Sequence, residues 1–407
     1  MKQKSILGLI RCTLYGKNGM DEFRFIERSG SNAEKYTLRQ RLFGTETVQP
    51  MWVADMDIAT PECVIHAVQE RLLHHPILGY EIMSDSAYEA QIGWMREHHG
   101  FEIKREWLSY FPSVVASIGC AIRALSEEGD EVIVMDPVYP PFYSMVRDNN
   151  RHLILHPLKQ DDEGIYRFDI NALASQITPK TKLLLLCSPH NPIGRVWSRD
   201  ELNALGALCL EHNIRIISDE IHSDIVFEPH RHLPIAALSE ELLENTITLL
   251  GPGKTFNMAG FSISTVCIPS ETLREAYDKE RHRVHFGDGA VLSHVAFEAA
   301  YTAGKSWHTK LVEHLSANIK IIETWCEAHP RIKFRPPEAT YLAWLDCKSL
   351  GLGDRELREF FVCKAGLGLS PGLSFGKEGS GFMRLNFAVP AFVLTEALDR
   401  LDRALND

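Results

Sequence analysis

The chain has no surplus of positive charge. Its 43 lysines and arginines stand against 54 aspartates and glutamates, giving a formal net charge of −11. Nucleic acid is therefore not expected as a partner, because phosphate binding needs clustered cations. There is no Cys-x-x-Cys pair, and the nine cysteines are scattered. A disulfide framework or zinc ribbon is not indicated; reduced thiols in a cytoplasmic protein fit better. No apolar run approaches the length of a membrane span. The start, MKQKSILGLIRCTLYGKNG, holds only a short apolar stretch, Ile6 to Ile10, closed at once by Arg11, so a signal peptide is not expected. Met20 could serve as the translation start as well as Met1. The histidines at 74–75, 98–99, 282 and 285 lie in charged, helical flanks without zinc spacing, so no metal is expected. No internal repeat or low-complexity linker is present.

What is present is ordinary globular material. Over 407 residues, 45% are hydrophobic and 24% charged, which suggests about two domains. From about 61 to 300 helix and strand patterns alternate. Pro61 to His75 reads as a helix with Thr60 as N-cap. Val114, Val115, Ile118, Ala121, Ile122 and Leu125 recur at helical spacing, with Gly129 as a stop. EVIVMDP, KLLLLCSP, IRIISDE, TITLLGP and FSISTVCIP read as buried strands. Between two of them, Ser198 and Glu201 open a helix with a capping box, and strand–helix–strand at this spacing predicts a parallel βαβ unit. After about 300 a long helical region, TYLAWLD, GFMRLNFAVP and a closing helix predict a smaller α+β domain. The expected organisation is residues 1–60 packing with that small domain, 61–300 as the large domain and 301–407 as the small one. The fold class is α/β, with a mainly parallel central sheet flanked by helices.

In such a sheet, ligands bind at the carboxyl ends of the strands. Four of these ends carry unexpected residues. Asn191 sits in a run, NPIG, that would also make a turn. Asp219 leaves an apolar strand, where a structural ion pair is the plain alternative. Tyr139 lies between prolines and could be a packed aromatic. Lys254 stands in LLGPGKTFNMAGF with no acid near it in the string, and a lone lysine there often reaches for water. Taken together, the four would converge on one crevice. They match the needs of a pyridine ring bearing a ring nitrogen, a hydroxyl and an aldehyde. Arg384 has its own argument: Phe382, Arg384 and Asn386 share one face of an alternating strand, and a buried guanidinium wants a planar anion, either a ligand or an internal acid.

The stretches VADMDIAT (53–60), FPSVVASI (111–118), DPVYPPFY (136–143), LLCSPHNPIGRVW (185–197), RIISDEIHSD (215–224), KTFNMAGF (254–261), TYLAWLD (340–346) and GFMRLNFAVP (381–390) carry a resemblance. The chain resembles fold-type I pyridoxal-phosphate enzymes, the aspartate-aminotransferase superfamily, from about Trp52 to its end. It is most similar to the MalY/PatB-type C–S lyase branch. The resemblance implies pyridoxal 5'-phosphate as cofactor and a homodimer with sites at the subunit interface. Lys254 would form the Schiff base, Asp219 would pair with the ring nitrogen, Asn191 would donate to the ring oxygen, and His222 would tune that edge. Tyr139 would stack on the ring. Ser113, Val114 and Val115 would bind the phosphate at a helix N-terminus, helped by Tyr80 from a neighbouring subunit. Arg384 would grip the substrate α-carboxylate.

Two departures stand out. Family members usually carry serine or threonine just before the lysine, whereas this chain has Gly251, Pro252 and Gly253. Thr255 follows the lysine and is the remaining hydroxyl candidate. Eight residues past the lysine, where many aminotransferases have arginine, stands Ser262. Weaker cofactor retention is the consequence expected. The two glycines are read as letting the backbone pass close to the cofactor. HRVHFGDG (282–289) is read as a mobile substrate-side loop. The expected activity is C–S β-lysis of L-cystathionine or related cysteine S-conjugates; an aminotransferase is the alternative, and a regulatory protein retaining the cofactor site a third.

Overall fold

Seven short strands form the main sheet of the computed structural model, which describes residues 23–406 apart from 286 and 288. They are β1 (Leu108–Phe111), β2 (Glu131–Asp136), β3 (His152–Pro157), β4 (Thr181–Cys187), β5 (Arg215–Asp219), β6 (Thr246–Leu250) and β7 (Ser264–Cys267). Their order across the sheet is β1-β7-β6-β5-β4-β2-β3. β3 and β2, β2 and β4, β4 and β5, and β5 and β6 pair parallel. β7 alone runs against its neighbours, β6 and β1. Helices cover both faces, which is why these strands read as unbroken apolar runs.

Alternate residues serve opposite faces. Val132, Val134, Leu185 and Ile217 pack on the side of helix Val114–Leu125. Ile133, Met135, Leu184 and Ile216 pack on the side of helix Arg199–Glu211, whose Ser198–Glu201 capping box forms as the spacing predicts. With a side-chain period of two, Asp219 follows Ile217 onto the face of helix Val114–Leu125. The strand directions add a second effect. β7 begins where β6 and β1 end, so residues 262–264, 251–254 and 112–115 meet at one edge.

A second, antiparallel sheet is built from β8 (Lys333–Phe334), β9 (Leu342–Asp346), β10 (Ser370–Pro371) and β11 (Phe382–Asn386), in the order β8-β9-β11-β10. Phe382 stacks on Trp344, centroids 5.0 Å apart, and both join the cluster under the large sheet. Met383 and Leu385 turn the other way, into a separate core with the closing helix Ala391–Asn406. Arg384 and Asn386 therefore face the large sheet. The N-terminal segment packs here too: Gln49–Pro50 pairs with Leu367–Gly368, and Phe23 lies 5.9 Å from Trp307.

Local details differ from expectation. The first long helix is Glu62–His74, and Thr60 does not cap it; its hydroxyl donates to the Asn257 carbonyl at 2.9 Å. The helix from Val114 ends at Leu125, before Gly129, because Ser126 turns extended and its hydroxyl donates back to the Ile122 carbonyl at 2.6 Å. The strand expected over 261–269 shortens to β7, because residues 259–261 form a 3-10 turn and Ser262 is left-handed, φ 50°. Part of the loop read at 282–289, residues 286 and 288, lies outside the described residues. Among the described residues, no helix is long and apolar enough to cross a membrane.

Candidate active site

A cavity of about 380 Å³ opens at the carboxyl ends of the parallel strands. Ser113, Val114, Val115, Tyr139, Asn191, Asp219, His222, Lys254 and Arg384 all line it. The chemistry of each follows from its surroundings.

Lys254 sits in a single turn, Pro252–Thr255, directly after β6. Its ammonium donates to the Ala54 carbonyl at 2.7 Å. Burial, then the nearby Arg384 guanidinium, pushes its pKa from 10.5 down to about 8. That shift favours the neutral amine by roughly 3 kcal/mol, enough to make a nucleophile available near neutral pH. Asp219 ends β5 with one oxygen accepting from the Ile221 N–H at 3.1 Å. Burial pushes its pKa from 3.8 up to about 7. No cation among the described residues pairs with it within salt-bridge distance. His222 is buried, and burial lowers its pKa to about 3, so it is a neutral imidazole.

Arg384 donates to the Asn191 side-chain oxygen at 3.0 Å and to the Trp52 carbonyl at 2.8 Å, with its guanidinium 4.5 Å from the Phe375 ring centre. The internal acid considered as its partner is not found: its bonds are to neutral oxygens. Burial lowers its pKa to about 10, which leaves it charged at neutral pH. Asn386, on the same strand face, donates to the Val53 and Asp55 carbonyls at 2.6 Å each. Arg384 and Asn386 thus fix the segment 52–55 across the cavity, which places the Ala54 carbonyl over Lys254. The Tyr341 hydroxyl donates to the same carbonyl at 2.9 Å. Sequence reading singled out neither Ala54 nor Trp52. Both act through backbone carbonyls, which the side chains of Trp52 and VADMDIAT do not reveal.

At the other side, Ser113 caps helix Val114–Leu125, its hydroxyl accepting from the Ala116 N–H at 3.2 Å. The Val114 and Val115 N–H groups precede any intrahelical acceptor and open on the cavity, the arrangement that binds phosphate.

Two expectations need correction. Thr255 does not line the cavity; its hydroxyl donates to Asp224 at 2.6 Å, on the far side of the turn. Tyr80, expected to serve a neighbouring subunit, is fully exposed and lies outside the cavity lining of its own chain. Gly251 has an extended backbone, φ 172°, and is small for packing reasons: a Cβ there would lie 3.1 Å from Ile221 and 3.2 Å from Ser264. Gly253 does line the cavity, and a Cβ there would meet only Ala259, at an ordinary 3.6 Å.

The residues fit a pyridoxal-phosphate group. Among the described residues Arg384 Nε and His222 Nδ1 are buried without hydrogen-bond partners, and Asp219 is a buried carboxyl with no cation at ion-pair distance. A protonated ring nitrogen would satisfy Asp219, the ring oxygen could take the Asn191 amide, and Lys254 could hold the aldehyde carbon. A helix start offers N–H groups to the phosphate.

A doubly wound sheet with this lysine, acid and amide at neighbouring strand ends defines the fold-type I pyridoxal-phosphate class. The chain belongs to the aminotransferase class I and II family, whose sequence model matches residues 52–401. Among curated proteins it is 39% identical to cystathionine beta-lyase PatB of Bacillus subtilis, over 93% of this chain and 98% of that protein. It is 31% identical to protein MalY of Escherichia coli, over 95% and 98%. Among solved structures, cystalysin from Treponema denticola, which contains pyridoxal 5'-phosphate, superposes with a TM-score of 0.91 at 32% identity, covering 94% of this chain and 98% of that one.

Two measurements probe the site. Without cofactor, a carboxyl whose folded pKa exceeds its unfolded value loses stability as pH climbs from about 4 to about 7. Urea unfolding of the unloaded chain should show this decline, and Asp219→Asn should flatten it by a few kcal/mol at about pH 8. An equally steep decline in the variant would contradict the assignment. Dialysis of the loaded protein against phosphate should bleach its visible absorbance. Gly253→Ser, which has room for a hydroxyl, should slow the loss severalfold, whereas Gly251→Ser should cost about 1–3 kcal/mol of stability by overpacking. Full retention of colour in the unaltered protein would sink the expectation of weak phosphate binding.

Proposed function

We propose that the chain is a pyridoxal-phosphate-dependent C–S β-lyase. It would convert L-cystathionine or a related cysteine S-conjugate and water to a thiol, pyruvate and ammonia. The observation that carries this reading is the charge pattern of the cavity. Among its described lining residues Arg384 is the only cation besides Lys254. One anion site therefore serves the α-carboxylate, and no second cation awaits a substrate side chain of net negative charge; the distal end of cystathionine is a zwitterion. The likeness to PatB over nearly the whole chain supports it.

Bound cofactor supplies an electron sink that stabilises negative charge developing at the substrate Cα. The protein's residues do the rest. Arg384 orients the α-carboxylate with a planar pair of N–H donors. Asp219 holds the ring-nitrogen proton in place by charge. Tyr139 covers one face of the site. The Lys254 amine, its pKa lowered to about 8 by burial, takes the Cα proton. The C–S bond then breaks, the thiol sulfur leaves with the electron pair, and water completes release of pyruvate and ammonia.

The protein should release pyruvate from L-cystathionine with no keto acid present, and Lys254→Ala should lower this at least about a hundredfold. Turnover only after a keto acid is added would make it an aminotransferase. A biological effect untouched by Lys254→Ala would mark a regulatory protein.

We also infer a cytoplasmic homodimer. Leu73, Ile77, Leu78, Tyr80 and Ile82 form an exposed apolar run, larger than scattered surface residues need. Tyr80 would there reach the phosphate of the partner's site. Light scattering on protein from the cytosolic fraction should give twice the chain mass, and Tyr80→Phe should loosen the cofactor. A monomer would contradict this.

A further inference from the structure

The cavity has a buried end and an open end. Arg384 and Lys254 fix the buried end, so an amino acid held there by its carboxylate and its nitrogen must send its side chain towards the opening. The lining on the exposed side includes Glu34, with Trp52 and Tyr139 nearby. Glu34 is the only carboxylate among the described lining residues besides Asp219. Among the described residues no cation lies within ion-pair distance of it. Its charge reaches Tyr139, whose phenol is pushed up first by burial and in part by Asp219 and Glu34.

The carboxylate is exposed, yet its backbone is fixed. The next residue, Lys35, is buried and pairs with Asp57 at 2.5 Å. Arg28 bridges Asp55 and Asp57 at 2.8 and 3.0 Å. The Trp52 indole N–H donates to the Lys35 carbonyl at 3.3 Å, joining this anchor to the segment that crosses the cavity. A freely moving surface acid would not need such a mount. The other role open to Glu34 is to place negative charge at the start of a four-residue helix, and that role would not depend on what occupies the cavity.

We propose that Glu34 is a specificity-determining residue that favours cysteine S-conjugates carrying an ammonium group two or three carbons beyond the sulfur. The inference rests on the lyase reading and sharpens it. The cation would meet the Glu34 carboxylate and the aromatic faces of Trp52 and Tyr139. Aminoalkyl thiols meet this requirement in full; homocysteine-type leaving groups place the ammonium there beside a carboxylate.

The test compares S-(2-aminoethyl)-L-cysteine with S-propyl-L-cysteine, equal in length and different in charge, on the cofactor-loaded enzyme. The kcat/KM ratio should favour the cation about fivefold, the upper range for an exposed ion pair. It should fall towards one in Glu34→Gln and also with added salt. A ratio unchanged by Glu34→Gln would overturn the inference. A second measurement needs no bond cleavage: the visible absorbance of bound cofactor, titrated with L-lysine and with L-norleucine. A lysine preference that vanishes in Glu34→Gln supports the inference even if no conjugate yields pyruvate, in which case the lyase reading alone fails. Cleavage of both conjugates without any Glu34 dependence leaves the lyase reading standing and removes this one.

Discussion

A lysine buried without an acid to pair it is the constraint around which the rest of this structure is arranged. Lys254 can sit at the end of β6 because the Ala54 carbonyl accepts a hydrogen bond from its ammonium at 2.7 Å. That carbonyl is itself held in place by groups from far along the chain. Arg384 and Asn386 tie down the flanking residues 52–55. The smaller sheet therefore completes a site whose other groups come from the large one. Stability is given up here: a buried amine, a buried carboxylate and a buried guanidinium each cost free energy until a ligand pairs them.

The parallel strands explain why these groups meet. β2, β4, β5 and β6 all end at one edge, and each delivers one chemically active residue within four positions of its last strand residue. Reversal of β7 brings Ser262 to that same edge, where it lines the cavity in a left-handed conformation. A side chain as long as arginine is absent at this point. With glycine at 251 and 253, the helix N-terminus at Val114 and Val115 would be left as the main phosphate contact the chain itself offers.

Much of this was legible in the sequence. Apolar runs broken by a single polar residue at their carboxyl ends marked Tyr139, Asn191, Asp219 and Lys254, and period-two alternation put Arg384 and Asn386 on one face. What stayed hidden depended on distance along the chain. The Ala54 carbonyl and the anchor under Glu34 arise from contacts between segments hundreds or tens of residues apart, and backbone carbonyls leave no trace in residue identity. Thr255 misled because adjacency to Lys254 says nothing about direction: in a single helical turn, consecutive side chains point about 100° apart. Gly251 misled for a related reason, since close packing against Ile221 and Ser264 demands glycine as firmly as a ligand would.

The central claim is that one amine, at position 254, holds the cofactor covalently. Borohydride reduction of the coloured protein, followed by peptide mapping, measures this directly. The account predicts a single fixed pyridoxyl group on the peptide containing Lys254, in amounts approaching one per chain. Label on another lysine, or a coloured protein that borohydride leaves unlabelled, would contradict it.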